Sequence, residues 1–288
     1  MSSNPLAAEA LAGRAGPGGW DARLTLRFER EAARTVLTTR RHVGPLRVQK
    51  SLHPEGADVC QAIIVHPPGG IVGGDSLAIA IDAGAGAHAQ LTTPGAAKWY
   101  RSAGSVAHST TSVRLEAGAV VEWLPQETIL FDGARAAIAL RIDYAPGARF
   151  IGWDVTCLGR TASGERYASG SLRQSLELHC DGGLVFVERA AIDGGSRALQ
   201  SGALLGGAPV FGTFVVAGLP VPDSLLAACR AIGCDEGAGA VTRLPEVLVG
   251  RYRGDSAHAA RTYFATLWGL LRPLVAGREA VLPRIFST

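Results

Sequence analysis

Three short stretches hold most of the residues that could do chemistry. HPPGGIVGGDSL (66–77) places an imidazole, His66, and a carboxylate, Asp75, at either end of a run of two prolines and four glycines. An imidazole nitrogen and a carboxylate oxygen suit a divalent metal, or a base and the group that orients it. EWLPQETILFDGARA (122–136) brings Glu122, Glu127 and Asp132 alongside Trp123, Leu124, Ile129, Leu130 and Phe131. Carboxylates beside an apolar strand line a polar channel or act as hard oxygen ligands. TTPGAAKWYRS (92–102) sets Lys98, Trp99, Tyr100 and Arg101 in a row, a composition typical of interface hot spots. Each stretch also has a plainer reading. His66 can be a half-buried, hydrogen-bonded histidine at a strand end, Asp75 an Asx-turn, and the acids of 122–132 solvated loop groups. Trp99 or Tyr100 can fold back on a sheet while its neighbours face water.

Several chemistries are excluded by pattern. Gly69, Gly70, Gly73 and Gly74 are not followed by the Lys-Ser/Thr of a phosphate loop, and the next segment, LAIAID, reads as strand rather than helix. There is no G-x-S-x-G elbow, no H-E-x-x-H and no C-x-x-C, and the seven histidines are scattered. The net charge of +3 rests on dispersed arginines, with Lys50 and Lys98 the only lysines, so a nucleic-acid footprint is missing. Five widely spaced cysteines argue against a disulfide framework and for a reducing compartment, most simply the cytoplasm. No apolar run reaches the length of a membrane span, and residues 1–20 read as a disordered Ala/Gly-rich tail rather than a secretory signal.

The elements that must position these residues are mostly strands. RLTLRFER alternates Leu24, Leu26 and Phe28 with Arg23, Thr25 and Arg27, the pattern of a half-buried strand. Similar runs recur to LVFVERAAI (184–192), separated by DAGAG (82–86), EAGA (116–119), APGA (145–148) and CDGG (180–183). This rhythm predicts an all-β sandwich, barrel or stacked sheet, without the helices that link strands in a doubly wound nucleotide fold. No internal repeat of fixed period is visible. Two helices are expected late. One is DSLLAACRAIG, capped by Asp223 and stopped by Gly233. The other is DSAHAARTYFATLWGLLRPLV, capped by Asp255 or Ser256, with a stripe of Tyr263, Leu267, Leu270, Leu271 and Leu274 and a kink or end at Pro273. Between them AVTRLPEVLVGRYRG reads as a strand pair. Residues 21–288 form one domain in this reading.

Together HPPGGIVGGDSL, TTPGAAKWYRS, LPQETILFDGARA and the closing PRIF, in order and at these spacings, resemble the urease accessory protein UreD (UreH) family. The resemblance covers the chain from about residue 20 to its end. It implies a mostly-β fold of stacked or coiled antiparallel sheets, β-helix-like, with two helices near the C-terminus. It implies a scaffold rather than an enzyme: a chaperone that binds the urease apoprotein and, with UreF and the GTPase UreG, enables nickel insertion, with the metallochaperone UreE acting upstream. It implies no resident cofactor, only transient passage of nickel. His66, Asp75, Glu127 and Asp132 then become the candidate metal-contacting residues, since a conduit needs weak, successive ligands rather than a closed cage. Nucleic acid and membrane are not expected partners, and the sequence leaves open whether the complex is dimeric. Two other readings stand beside it. One is a β-fold hydrolase or isomerase with a deep site around His66, Asp75 and Glu127, marked by displaced pKa values. The other is a β-domain that binds carbohydrate or protein through Trp99 and Tyr100.

Overall fold

In the computed structural model, residues 18–287 are described. The tail expected over 1–20 lies, up to residue 17, outside the described residues. Trp20 is tied to the sheet: its N–H donates to Asp75 Oδ1 (2.9 Å) and its carbonyl accepts from the Ser76 N–H (2.8 Å).

Seventeen strands and two α-helices are present among the described residues. A first sheet contains β1 (Asp21–Glu31), β2 (Arg34–Val43), β5 (Ser76–Ala83), β8 (Ala107–Leu115), β11 (Arg135–Tyr144), β13 (Ser171–Cys180) and β14 (Gly183–Asp193), in the spatial order β14-β13-β11-β8-β5-β1-β2. The main path of a second sheet runs β16 (Ala238–Arg243), β17 (Val247–Gly254), β15 (Val210–Ala217), β12 (Arg149–Leu158), β9 (Val120–Leu124), β6 (His88–Thr92), β4 (Val59–Val65) and β3 (Arg47–Val48). Two short strands, β7 (Ala97–Trp99) and β10 (Thr128–Leu130), pair with each other and join this sheet through β12.

The expectation of antiparallel sheets is corrected here: the sheets are mixed. β1, β5, β8, β11 and β13 pair in parallel, as do β4, β6, β9 and β12. Antiparallel pairs lie at the rims, among them β1–β2, β13–β14, β12–β15, β15–β17 and β16–β17. The cause is a coil. After each turn the chain crosses to the opposite sheet instead of folding back, so strands one coil apart run the same way without a linking helix. The Cα partners Val59↔His88, His88↔Val120 and Val120↔Arg149 give coil offsets of 29, 32 and 29 residues. The architecture is therefore a stack of coils resembling a β-solenoid.

The turn signals mark the coil corners. Gly86, Gly118 and Gly147 take φ of +67°, +71° and +81°, which glycine adopts without a Cβ penalty. Each is followed by a fully buried alanine, Ala87, Ala119 or Ala148, and these stack through Val120 N–H to Ala87 carbonyl (2.8 Å) and Arg149 N–H to Ala119 carbonyl (2.9 Å). The alternation read from β1 holds: Leu24, Leu26 and Phe28 are buried between the sheets.

The helices cover the outer face of the second sheet. The first, α1 (Asp223–Arg230), begins after Pro222 and is capped at Ala231, so Asp223 and Gly233 do not cap it as expected. Proline's fixed φ supplies the extended residue that a cap position needs. The second, α2 (Ala257–Ala276), starts at Ser256, whose side chain accepts from the Ala259 N–H (3.2 Å), and continues past Pro273 to Gly277 at φ +68°. Its buried face is Tyr263, Phe264, Leu267, Trp268, Leu271, Arg272 and Val275; Leu270, placed in the expected stripe, is exposed. Burial of each such apolar side chain contributes about 1.5–3 kcal/mol. PRIF closes this layer, with Phe286 against Trp153 (ring centroids 6.3 Å).

A buried polar network fastens α2 to the coils. Glu122 and Arg272 are both 0% exposed. Glu122 accepts from Arg272 Nε and Nη2 (both 3.0 Å) and Trp268 Nε1 (2.7 Å), and His88 Nε2 lies 2.8 Å from it. Arg272 also donates to Glu55 (2.6 and 2.9 Å) and lies 4.8 Å above the Trp268 ring. Burial alone would raise the Glu122 pKa; His88 and Arg272 outweigh it and hold the carboxylate below its ordinary value.

Candidate functional site

The three chemistry-bearing stretches stack on one another. Each carries the chain from the second sheet back to the first, in successive coils. Ile71 bridges Trp99 in parallel, and β7 pairs with β10 in parallel through Ala97↔Thr128, Lys98↔Ile129 and Trp99↔Leu130. Together they form a third wall. The glycines of 66–77 serve this stacking. A Cβ on Gly70 would lie 2.1 Å from the Tyr100 ring, and one on Gly73 2.2 Å from Ser102 Oγ. Trp99 is buried while Lys98, Tyr100 and Arg101 point outward, and Tyr100 meets Phe131 edge-on at 4.9 Å.

Behind this wall is a cavity of about 250 Å³, lined on the wall side by His66, Trp99 and Gln126 and on the sheet side by Thr111, Trp123 and Asp154. Alternation along β12 explains Asp154: Trp153 and Val155 pack toward the helices, so the residue between them faces inward. Burial pushes its pKa up to about 7, and the nearby Glu188 carboxylate adds to the rise. The Trp123 indole N–H pulls the other way from close by, outside hydrogen-bond geometry. A smaller pocket of about 20 Å³ shares Asp154 with the cavity and contains Glu188, which also lines an outer groove at the β14 end. Glu188 accepts from Thr213 Oγ1 (2.8 Å) and lies 2.5 Å from Arg251. Asp154 and then Glu188 thus follow one another from the interior toward the surface.

The four residues singled out in the sequence are not gathered at one point. His66 lines the cavity; burial lowers its pKa, partly offset by Asp75. Asp75 is buried and engaged with backbone, Oδ1 with the Trp20 N–H and Oδ2 with the Val72 N–H (both 2.9 Å), an Asx-type turn. Glu127 lies 3.3 Å from Arg261 of α2. Asp132 accepts from the Ser169 N–H (2.8 Å) and Oγ (3.0 Å) and pairs with Arg101. Burial opposes ionisation of Asp132, but Ser169 and Arg101 outweigh it and hold the pKa below its ordinary value. Both oxygens of Asp75, grouped with His66 and Glu127 in the hydrolase reading, already accept from backbone amides. Among the described residues, no three His, Cys, Asp or Glu side chains converge as a metal cage. The five cysteines are unpaired. No helix among the described residues is long and apolar enough to cross a membrane.

Asp154 and Glu188 were not among the sequence candidates. The signal available was a lone acid within the apolar run FIGWDVTCL, and likewise Glu188 within LVFVERAAI.

Fold and cavity together define a β-solenoid-like protein with a walled, polar-spotted interior and a helical layer on one side. The chain belongs to the UreD urease accessory protein family, whose model matches residues 21–287. It is 52% identical over 270 residues to the urease accessory protein UreD of Azoarcus sp. (strain BH72), covering 94% of this chain and 95% of that one. It is 50% identical over 273 residues to UreD of Dechloromonas aromatica (93% and 95% covered) and 51% identical over 270 residues to UreD of Pseudomonas aeruginosa PAO1 (93% and 95%).

Proposed function

We propose that this chain is a non-catalytic urease maturation scaffold in the cytoplasm. It binds the urease apoprotein and, together with UreF and the GTPase UreG, lets nickel supplied through UreE reach the urease active site. Nickel is cargo in this reading, and the chain keeps no resident cofactor. The observation that best supports it is the interior cavity with Asp154, and Glu188 beyond it toward the surface. Isolated oxygen donors, spaced rather than clustered, hold a divalent cation weakly enough to release it. His66 offers an imidazole nitrogen on the same cavity. Asp75, Glu127 and Asp132 contribute by holding the wall in register. Asp75 and Asp132 tie backbone amides, and Glu127 holds the helix through Arg261. Coexpression of the chain with UreF and apo-urease, followed by gel filtration, tests the scaffold role. Co-elution with both is expected. A chain that elutes apart from each of them overturns it.

A further inference from the structure

The two sheets do not end together. The second continues past β12 through β15, β17 and β16, whereas the first stops at β14, whose outer edge meets no strand among the described residues. Exposed edges are usually blunted by charge, proline or bulges. The opposite rim follows that rule: β2 carries Arg34, Arg40 and Arg41, and its pairing with β1 shifts register between Arg27 and Phe28. The near end of β14 is bulged as well, its pairing with β13 shifting register between Leu178 and His179, but it carries no charge from Gly183 to Val187. Leu184 is 57% and Val187 41% exposed, and the strand contains no proline. Beside it opens a groove of about 670 Å³, whose charged lining is Arg189, Arg251, Arg253 and Glu188; Arg189 pairs with Glu177 (3.2 Å) and Arg251 with Glu188 (2.5 Å). Arg253 donates to the neutral carbonyls of Gly202 and Leu204 (3.0 and 3.4 Å), so its charge is left for a partner.

We propose that β14 is a docking edge for an extended, acidic segment of a partner protein. The segment adds as the next strand of the first sheet, its apolar residues on the outer face beside Leu184 and Val187 and its carboxylates on the opposite, groove-facing side toward Arg253. Strand addition of this kind draws affinity from main-chain hydrogen bonds and selectivity from the side chains on either side. The net positive groove selects acidic over basic segments.

The test uses the full chain and two synthetic peptides of about nine residues, the length of an ordinary strand, alternating valine with aspartate or with lysine. Hydrogen exchange is followed by mass spectrometry and binding by fluorescence anisotropy. The aspartate peptide is expected to slow exchange over 183–193 and leave 34–43 unchanged, and the lysine peptide to do neither. Val187→Asp and Arg253→Gln, both at exposed positions, are each expected to weaken binding about ten-fold in a chain that still melts cooperatively. The proposal is overturned by unaltered exchange at β14, by equal effects of the two peptides, or by full binding in both variants. It is equally overturned by protection that grows with protein concentration alone, which would assign the edge to a second copy of this chain.

Discussion

Replacing Asp154 by Asn isolates the cost of an acid enclosed beside the cavity. In the unfolded chain this carboxyl ionises at its ordinary value of 3.8; in the folded chain it does so at about 7. Between those values the folded state holds a proton that the unfolded state has released, so stability falls as pH rises, by about 1.4 kcal/mol per pH unit. Above pH 7 the penalty is complete, at about 4 kcal/mol, or about 2 if water in the cavity screens the charge. Asparagine has no proton to lose and escapes it. Urea denaturation at pH 5 and pH 8 reads the effect. Asp154→Asn is expected to be more stable than the natural chain at pH 8, and its advantage at pH 8 should exceed that at pH 5 by up to about 3 kcal/mol. Comparing the two proteins at each pH cancels the titration of every other group. An advantage that does not change with pH, or a variant less stable at pH 8, would refute the reasoning, because the carboxyl would then not occupy a displacing environment. The same substitution should impair nickel delivery, so that stability is gained where function is lost.

The buried network supplies two further tests. Arg272→Ala strands the Glu122 and Glu55 carboxylates beneath α2 and should cost about 3–5 kcal/mol, read as a lower urea midpoint with unchanged m-value. Glu122 is held below its ordinary value of 4.5, so the stability it lends is complete above that value and is lost as pH falls through the lower folded one; Glu122→Gln should flatten this acid limb in denaturation followed from pH 6 downward. Gly152→Ala would place a Cβ 2.5 Å from the Trp123 carbonyl oxygen, in backbone that cannot rotate aside, and should lower stability by about 1–3 kcal/mol in the same assay.

The strands themselves were legible because period two is local: Leu24, Leu26 and Phe28 declare their face without reference to anything distant. Their direction was not, because a turn such as DAGAG looks the same whether the chain folds back or crosses to a second sheet. The repeat escaped notice because it is carried by single corner glycines, Gly86, Gly118 and Gly147, and the buried alanines after them rather than by a shared motif. The helix α2 is visible, and Tyr263, Leu267 and Leu271 of its expected stripe are buried, but the stripe includes the exposed Leu270 and omits Trp268 and Arg272. A buried arginine reads as a surface residue until its partners Glu122 and Glu55, distant in sequence, are in view. At the site, proline and glycine punctuation pointed to the wall over the cavity. It pointed less well to the residues inside it, because Asp75 and Asp132 hold backbone, whereas Asp154 reaches the cavity only through the alternation of a strand two coils beyond β6.

Nickel content of the urease produced is the most direct measure of the route. Urease would be purified from cells making the natural chain, the Asp154→Ala chain, or none, and nickel counted per active site alongside co-purification of the accessory proteins. Urease from the Asp154→Ala cells is expected to have met an intact accessory complex yet to be poor in nickel, approaching the enzyme made without the chain. Fully metallated, active urease from either of those two cell lines would contradict passage of nickel through this interior.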